Sequence, residues 1–101
     1  LEPVLLNLLR NAWQATKGTE KPTIELCGRL NRRGNTVIEV DDNGHGVPDE
    51  IATRIFVPFF TTREGGSGVG LALARQVMIA HGGFIRLGKK EGAGTTFTLT
   101  F

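Results

Sequence analysis

The spacing of hydrophobic positions along the chain predicts two long helices and one short one. Apolar residues at helical spacing predict a helix over 1–16, whose core side consists of Val4, Leu5, Leu8, Leu9 and Ala12. A mostly apolar segment predicts a second helix over 69–81, which we expect to be buried and to end at Gly82 and Gly83. Between the two, Pro48 and the acids that follow it predict a short helix reaching Ile55.

Four further segments have the residue pattern of β-strands. The β-branched, partly alternating segments 23–30 and 36–41 are separated by turn residues, which predicts a hairpin. The segments 84–87 and 95–101 predict two more strands, joined by the polar turn GKKEGAG. The order of helix, two strands, helix, two strands predicts an α/β (α+β) two-layer sandwich. We expect a mixed, largely antiparallel sheet with the helices on one face.

The composition is that of a folded domain, because 40% of the residues are hydrophobic and 22% are charged. The net charge of +2 is too small and too dispersed to predict a nucleic-acid partner. Cys27 is the single cysteine, which excludes an internal disulfide and favours a reducing compartment. The chain has no apolar run of about 18 residues, and its first residues lack the basic, apolar and small-residue layout of a signal peptide, which leaves targeting signals further upstream open. Since it does not begin with methionine, we interpret 1–101 as one domain cut from a longer protein.

Asn7 and Asn11 are the first candidates for binding chemistry. They are four residues apart on the predicted first helix and therefore lie on one side of it, with Gln14 three residues further on. Amide oxygen is a neutral, hard ligand that suits a magnesium ion which keeps its waters and also holds nucleotide phosphates. Taken alone, the pair is weak evidence for a metal site. A solvated polar stripe opposite the leucines is the favoured interpretation of an isolated pair.

The segment DDNGHG follows the second predicted strand. An acid at Asp42 can accept a hydrogen bond from an exocyclic amine, while neighbouring glycines let a flat ring approach the backbone. An Asx-type turn capped by Asp42 and Asn43 needs no ligand, and this segment alone favours the turn. His45 is interpreted as an exposed loop residue and His81 as a helix C-terminal residue, and neither is expected to bind a metal.

The glycines of GGSGVG lead into the second long helix. Such a sequence exposes backbone N–H groups and the positive end of the helix dipole to a phosphate. No G-K-[S/T] follows, which excludes a P-loop, and Leu71 stands where a dinucleotide fingerprint needs its last glycine. Phe56 and Phe59, just upstream, are typical core residues. With so many glycines after them, they are also typical of the anchor of a mobile flap.

In this order, the motifs resemble those of the catalytic ATP-binding domain of sensor histidine kinases. The superfamily of these kinase domains also includes the gyrase-type, heat-shock chaperone and mismatch-repair ATPases. The resemblance covers Val4 to Phe101 and comprises NLLRNAWQA (the N box), DDNGHG (the D-x-G-x-G box), FVPFFTTR (the F box), GSGVGLAL (the second glycine box) and GAGTTF. It implies the Bergerat, or histidine kinase ATPase, fold. The lid between the F box and the glycines is short, as in nitrogen-regulatory kinases.

The resemblance implies that ATP and Mg²⁺ are bound, and it implies a role for each matching residue. Asp42 would accept the adenine amino group, Asn11 would bind Mg²⁺, and Asn7 would support the phosphate side. The other implied pocket residues surround the adenine, line the phosphates or anchor the lid, and they are Gly44, Gly46, Phe56, Phe59, Thr62, Arg63, Gly66, Gly68, Val69, Gly70, Leu71 and Thr96. Arg63 would reach the γ-phosphate and is, with Asn11, the implied catalytic residue.

The resemblance also implies the reaction. In the ATPase branches a glutamate stands at the position of Asn7 and acts as the base for water, but an amide cannot take a proton. Transfer of the γ-phosphoryl group to a histidine is therefore favoured over hydrolysis, and neither His45 nor His81 has the adjacent acid or amide of an acceptor. The acceptor is expected on a separate dimerisation domain of the same protein, without which the chain would be inactive. A response regulator is the expected further partner.

The parent is expected to be a cytoplasmic homodimer, with membrane anchoring left open. Two departures from the family pattern are Gln14, where many relatives have a basic residue, and the start of the chain inside the N-box helix, which implies an N-terminally incomplete sheet. The alternatives are an ATPase of the same superfamily, an anti-sigma-like serine kinase and a non-catalytic nucleotide-binding or interaction module.

Overall fold

The computed structural model describes residues 2–60, 70–89 and 94–101. In chain order the elements are helix α1 (Glu2–Ala15), strands β1 (Ile24–Leu30) and β2 (Thr36–Asp42), helices α2 (Asp49–Ala52) and α3 (Gly70–Ala80), and strands β3 (Phe84–Lys89) and β4 (Thr95–Thr100). Every predicted helix and strand is present. Helix α2 is the shortest of them and ends at Ala52. The chain then continues in turns, which are closed by hydrogen bonds from Arg54 N–H to Ile51 O and from Val57 N–H to Arg54 O.

The four strands form one sheet in the order β1-β2-β4-β3, and each neighbouring pair is antiparallel. The last strand in the sequence therefore lies between β2 and β3. Asp42, at the end of β2, is paired with Ile24 on one side and with Thr95 on the other. The predicted two-layer sandwich with a largely antiparallel sheet is confirmed.

The core lies between the sheet and the helices α1 and α3. Successive residues of a strand face opposite sides, so one set of alternate residues meets the helices. We call the side that carries Val40, Phe97 and Leu99 the helix face, and the side that carries Asp41 and Thr96 the open face. The helices contribute residues at helical spacing to the same core, namely Val4, Leu8 and Ala12 of α1 and Ala74 and Met78 of α3.

Helix α3 ends in the predicted glycine cap. Gly82 has a φ of +76°, and its N–H bonds to Ile79 O at 3.0 Å while the Gly83 N–H bonds to Met78 O at 2.8 Å. These two bonds form a Schellman motif and satisfy the last carbonyl groups of the helix. The prediction that α3 is buried is wrong, because only Ala74 and Met78 are buried, while Leu73 and Ile79 are exposed. The helix lies on the surface of the core and buries a single stripe.

Strand β1 is an exposed edge of the sheet, and all seven of its residues are exposed. Its residues on the helix face (Ile24, Leu26 and Leu30) are apolar, but the helices pack mainly over the other strands. On the open face Arg29 forms an ion pair with Glu39 of β2. No helix in the described ranges is long and apolar enough to cross a membrane.

Candidate functional site

Asp42 is the centre of the candidate site. It is the last residue of β2, only 3% exposed, and the strand alternation places it on the helix face with Val40. Burial of a carboxylate is costly unless the group is hydrogen-bonded. Its Oδ1 accepts a hydrogen bond of 2.9 Å from the Gly44 N–H, which confirms the Asx-type turn. The turn holds the carboxylate at the boundary between the sheet and the following loop.

The loop after Asp42 is attached to the end of α1. The His45 N–H donates to Ala15 O at 3.1 Å and so satisfies one of the free carbonyl groups of the helix C-terminus. A Cβ on Gly44 would overlap the same carbonyl group, so only glycine fits at this approach. His45 itself is exposed, and its Nδ1 lies 2.8 Å from Gly46 O. The glycine predicted to admit a ring thus also lets the loop dock on α1.

Asn43 has a different role from the turn cap that its sequence predicts. Its side chain reaches back to the segment before β1, where Oδ1 accepts the Thr23 N–H at 2.8 Å and Nδ2 donates to Lys21 O at 3.0 Å. This positioning role is not predicted by the sequence. The signal was weak, since asparagine is equally common in turns that bond only locally.

Gly94, just before β4, packs closely against the Asp42 backbone, and Gly46 of the loop after β2 packs against Gly94. Gly94 has a φ of +119°, and a Cβ there would overlap Asp42 O. Gly46 has a φ of +75°, and its Cβ would lie 3.2 Å from Gly94 O. Three backbone segments therefore approach each other more closely than side chains would permit.

Thr95, and not Thr96, lies on the same face of the sheet as Asp42. Thr95 is 4% exposed, pairs with Asp42 across the β2–β4 ladder and lies on the same face. Thr96 lies on the open face, where its Oγ1 donates to the Asp41 carboxylate. Thr96 was predicted to lie near the adenine, and it stands on the opposite face of the sheet from the Asp42 carboxylate that was predicted to bind the same ring. The sequence did contain the information that identifies Thr95. Alternate residues of a strand face the same side, so a strand that places Phe97 and Leu99 in the core also turns Thr95 toward the helices.

Asn7 and Asn11 lie on one side of α1, as predicted, and both are half-buried. Asn7 meets the start of α3, since its Oδ1 lies 2.8 Å from the position that a Cβ on Gly70 would take. Helix α1 therefore touches the Asp42 loop at Ala15 and α3 at Asn7, two points separated by about 12 Å along the helix axis.

Among the F-box residues that the structure describes (56–60), the first one is packed against the sheet. Ile55 is buried, and the half-buried Phe56 ring packs edge-on against Phe97, with 6.3 Å between ring centroids and 84° between planes. Phe59 is 77% exposed and has a φ of +69° in the turn closed by Phe60 N–H to Val57 O. The prediction that Phe59 packs as an anchor is therefore wrong.

Several predicted residues lie outside the described residues, namely Thr62, Arg63, Gly66, Gly68 and Val69. Leu71 is half-buried in the first turn of α3 and packs against the core, and Gln14 is half-buried on α1. His81 is exposed, with its Nδ1 2.8 Å from Val77 O at the end of α3. Within 2–60, 70–89 and 94–101, no group of three or more His, Cys, Asp or Glu side chains could hold a metal ion.

A separate cavity of about 390 Å³ opens between the end of α1 and the start of β1. Its walls include Trp13, Lys17, Pro22 and Ile24, and the Lys17 ammonium lies 5.4 Å from the centre of the Trp13 ring. It is lined by neither Asp42 nor the loop glycines, so it is not part of the candidate site.

Comparison with solved structures shows the same fold in histidine kinases. The mycobacterial sensor histidine kinase MprB matches with a TM-score of 0.85 and 25% identity over 98% of this chain and 69% of that chain. Full-length ShkA in complex with AMPPNP matches with a TM-score of 0.79 and 33% identity over 97% of this chain and 20% of that chain. The catalytic domain of ThkA matches with a TM-score of 0.80 and 32% identity, over 97% of this chain and 62% of that chain.

Comparison with curated proteins gives sensor kinases. The chain is 41% identical to the signal transduction histidine-protein kinase AtoS of Escherichia coli, over 98% of this chain and 16% of that protein. It is 41% identical to the nitrogen regulation protein NtrY of Azorhizobium caulinodans, over 95% of this chain and 13% of that protein. The chain thus spans less than a quarter of these relatives. The family model for histidine kinase-, DNA gyrase B-, and HSP90-like ATPases matches residues 1–101, and the chain therefore belongs to that family.

Proposed function

We propose that this chain is the ATP- and Mg²⁺-binding catalytic domain of a two-component sensor histidine kinase. In this proposal it transfers the γ-phosphoryl group of ATP to a histidine on a separate dimerisation domain of the same protein. The observation that carries the proposal is the buried Asp42 at the end of β2, which is surrounded by glycines that have no room for a side chain. A relative of the same fold in complex with AMPPNP supports a nucleotide at this site.

The adenine end of the proposed pocket consists of Asp42, Thr95 and the loop glycines. Asp42 would accept a hydrogen bond from the adenine 6-amino group, and a charged acceptor makes such a bond stronger than a neutral one. Gly44 and Gly46 would let the ring approach the backbone. Thr95 offers a hydroxyl group on the same face as the carboxylate, so we replace Thr96 by Thr95 in the proposed pocket.

The phosphate end would be formed by α1 and the start of α3. The donor set suits Mg²⁺ only in part, because Asn11 supplies one neutral amide oxygen, and Mg²⁺ commonly keeps waters and phosphate oxygens as its other ligands. Asn11 would hold the ion in this way, and the bound ion would neutralise charge on the β- and γ-phosphates. Arg63, Gly66 and Gly68 remain predicted contacts of the phosphates.

Transfer to a histidine is favoured over hydrolysis by the amide at Asn7. A carboxylate at this place could take a proton from an attacking water, whereas an amide cannot. The chain's own histidines are poor acceptors, because His45 lies between two glycines beside the adenine end and His81 caps the end of α3. A response regulator as next partner, a homodimeric parent and a cytoplasmic domain complete the proposal.

A labelling experiment tests the proposed function. The chain incubated with Mg²⁺ and γ-labelled ATP should gain no acid-labile phosphate. Addition of the parent's dimerisation segment should produce acid-labile label on a histidine of that segment. The chain with Asp42→Ala is the control and should support at least about tenfold less labelling. Label mapped to His45 or His81 would contradict the proposal, and ATP turnover without any acceptor would favour the ATPase alternative.

A pair of neighbouring threonines tests which residue lies at the adenine. Thr95→Val removes a buried hydroxyl group while keeping the shape of the side chain, and we expect it to weaken ATP binding by about 1 kcal/mol, or roughly fivefold. Thr96→Val is the matched control and should leave ATP affinity within about twofold, since Thr96 bonds to Asp41 on the open face. Calorimetric titration of both variants measures the difference, and the reverse order of effects would contradict the assignment of Thr95.

A further inference from the structure

Gly70 lies on the side of α3 that packs toward α1 in the core. Residues 70, 74 and 78 share one side of this helix, since they are four residues apart, and Ala74 and Met78 are 1% and 0% exposed. The stripe packs toward α1, and its first member is the residue with no side chain. Gly70 is therefore placed at a contact between two helices, in addition to its place in a glycine-rich phosphate motif.

The partner of Gly70 in this contact is the Asn7 side chain. A Cβ on Gly70 would lie 2.8 Å from Asn7 Oδ1 and 3.4 Å from Asn7 Cγ. A Cβ essentially never lies within 3.0 Å of another heavy atom, so any other residue at position 70 would displace the carboxamide. The obstacle is the end of a side chain and not backbone, so the expected result of a larger residue is a rotated Asn7 within an intact fold.

We infer that Gly70 is a positioning residue that acts through Asn7, because its missing side chain lets the Asn7 carboxamide rest against the start of α3. The first turn of a helix carries the positive end of the dipole, which favours an oxygen there. With Oδ1 on α3, the carboxamide presents its amino group to the phosphate side, where a donor suits an anion. The inference rests on the proposed function and adds a role for Gly70 distinct from direct contact with phosphates.

A double-mutant cycle on the complete protein tests this inference. The variants are Gly70→Ala, Asn7→Ala and the double variant, with Gly28→Ala as control because a Cβ there meets no atom within 4 Å. The autophosphorylation rate at saturating Mg²⁺ and ATP is measured for each. We expect Gly70→Ala to lower the rate at least about fivefold with Asn7 present, and by less than about twofold in the Asn7→Ala background.

A second double-mutant cycle measures the urea midpoint of unfolding for the same variants. It uses no nucleotide, so its result does not depend on the proposed function. Alanine forms a helix more readily than glycine, so Gly70→Ala should raise the urea midpoint in the Asn7→Ala background. With Asn7 present, the displaced carboxamide should cancel that gain. A measurable coupling supports the contact even if the protein binds no ATP, an outcome that would overturn the proposed function alone.

Two results would overturn the inference. Equal losses of rate in both backgrounds would mean that Gly70 acts on the phosphates directly. Additive changes of the urea midpoint would mean that Gly70 and Asn7 are not in contact.

Discussion

Replacement of Asp42 by alanine is expected to weaken ATP binding at least about tenfold. Loss of a charge-assisted hydrogen bond in a buried site costs about 1.5–3 kcal/mol, and every 1.4 kcal/mol is about tenfold in affinity. The burial of Asp42 at 3% exposure is the reason to expect the full cost, because water cannot replace the lost acceptor. Isothermal titration calorimetry with ATP measures the change.

Two variants separate this effect from damage to the loop. Asp42→Asn keeps an oxygen for the Gly44 N–H but presents a donor where the adenine amino group needs an acceptor, so it should weaken ATP binding nearly as much as alanine. Asp41→Ala removes the adjacent acid on the open face and should change the affinity by less than about twofold. Unchanged affinity in both Asp42 variants would remove Asp42 from the proposed pocket.

The second large effect is expected for Gly94→Ala. The added Cβ would overlap Asp42 O, and a φ of +119° is strained for any residue with a side chain. Because the obstacle is backbone, the β2–β4 ladder must shift, and we expect a loss of about 3 kcal/mol in the free energy of unfolding. That is a large part of the 5–15 kcal/mol typical of a whole domain. Urea unfolding measures the loss.

Gly34→Ala is the matched control for this prediction. Gly34 also has a positive φ, +83°, but no atom lies within 4 Å of its Cβ position, so the variant carries the strain without the overlap. We expect a loss of only about 1 kcal/mol. Equal urea midpoints for Gly94→Ala and Gly34→Ala would show that the close approach to Asp42 contributes nothing to stability.

The elements could be predicted from sequence because their signals are local. The apolar spacing of Val4, Leu8 and Ala12 and the glycine pair after α3 decide the hydrogen bonds of residues a few positions apart. The order of the strands could not be predicted in the same way. The place of β4 between β2 and β3 depends on pairing between residues far apart in sequence, and strand alternation carries no information about which strand is the neighbour.

The local turn at Asp42 could be predicted from the sequence, but the contacts between distant segments could not. Asp42 and its glycines stand out because few other residue types suit a buried turn of this shape. The contacts of Asn43 with Lys21 and Thr23, and of Gly70 with Asn7, join parts of the chain that are far apart in sequence. Phe59 was misjudged because an aromatic residue predicts burial, whereas the turn at Phe59 leaves the ring exposed.

Strand β1 links the candidate site to the local unfolding of the sheet. In the part of the chain that the structure describes, β1 has one neighbour and little buried apolar surface, and such a strand opens at a lower free energy than strands inside a sheet. Opening of β1 would separate Ile24 from Asp42 and break the two Asn43 bonds to Lys21 and Thr23. A nucleotide that binds only the paired form would suppress this fluctuation, and its apparent affinity would be lowered by the fraction of molecules in which β1 is open. The affinity of the proposed pocket would thereby depend on the pairing of a strand outside it.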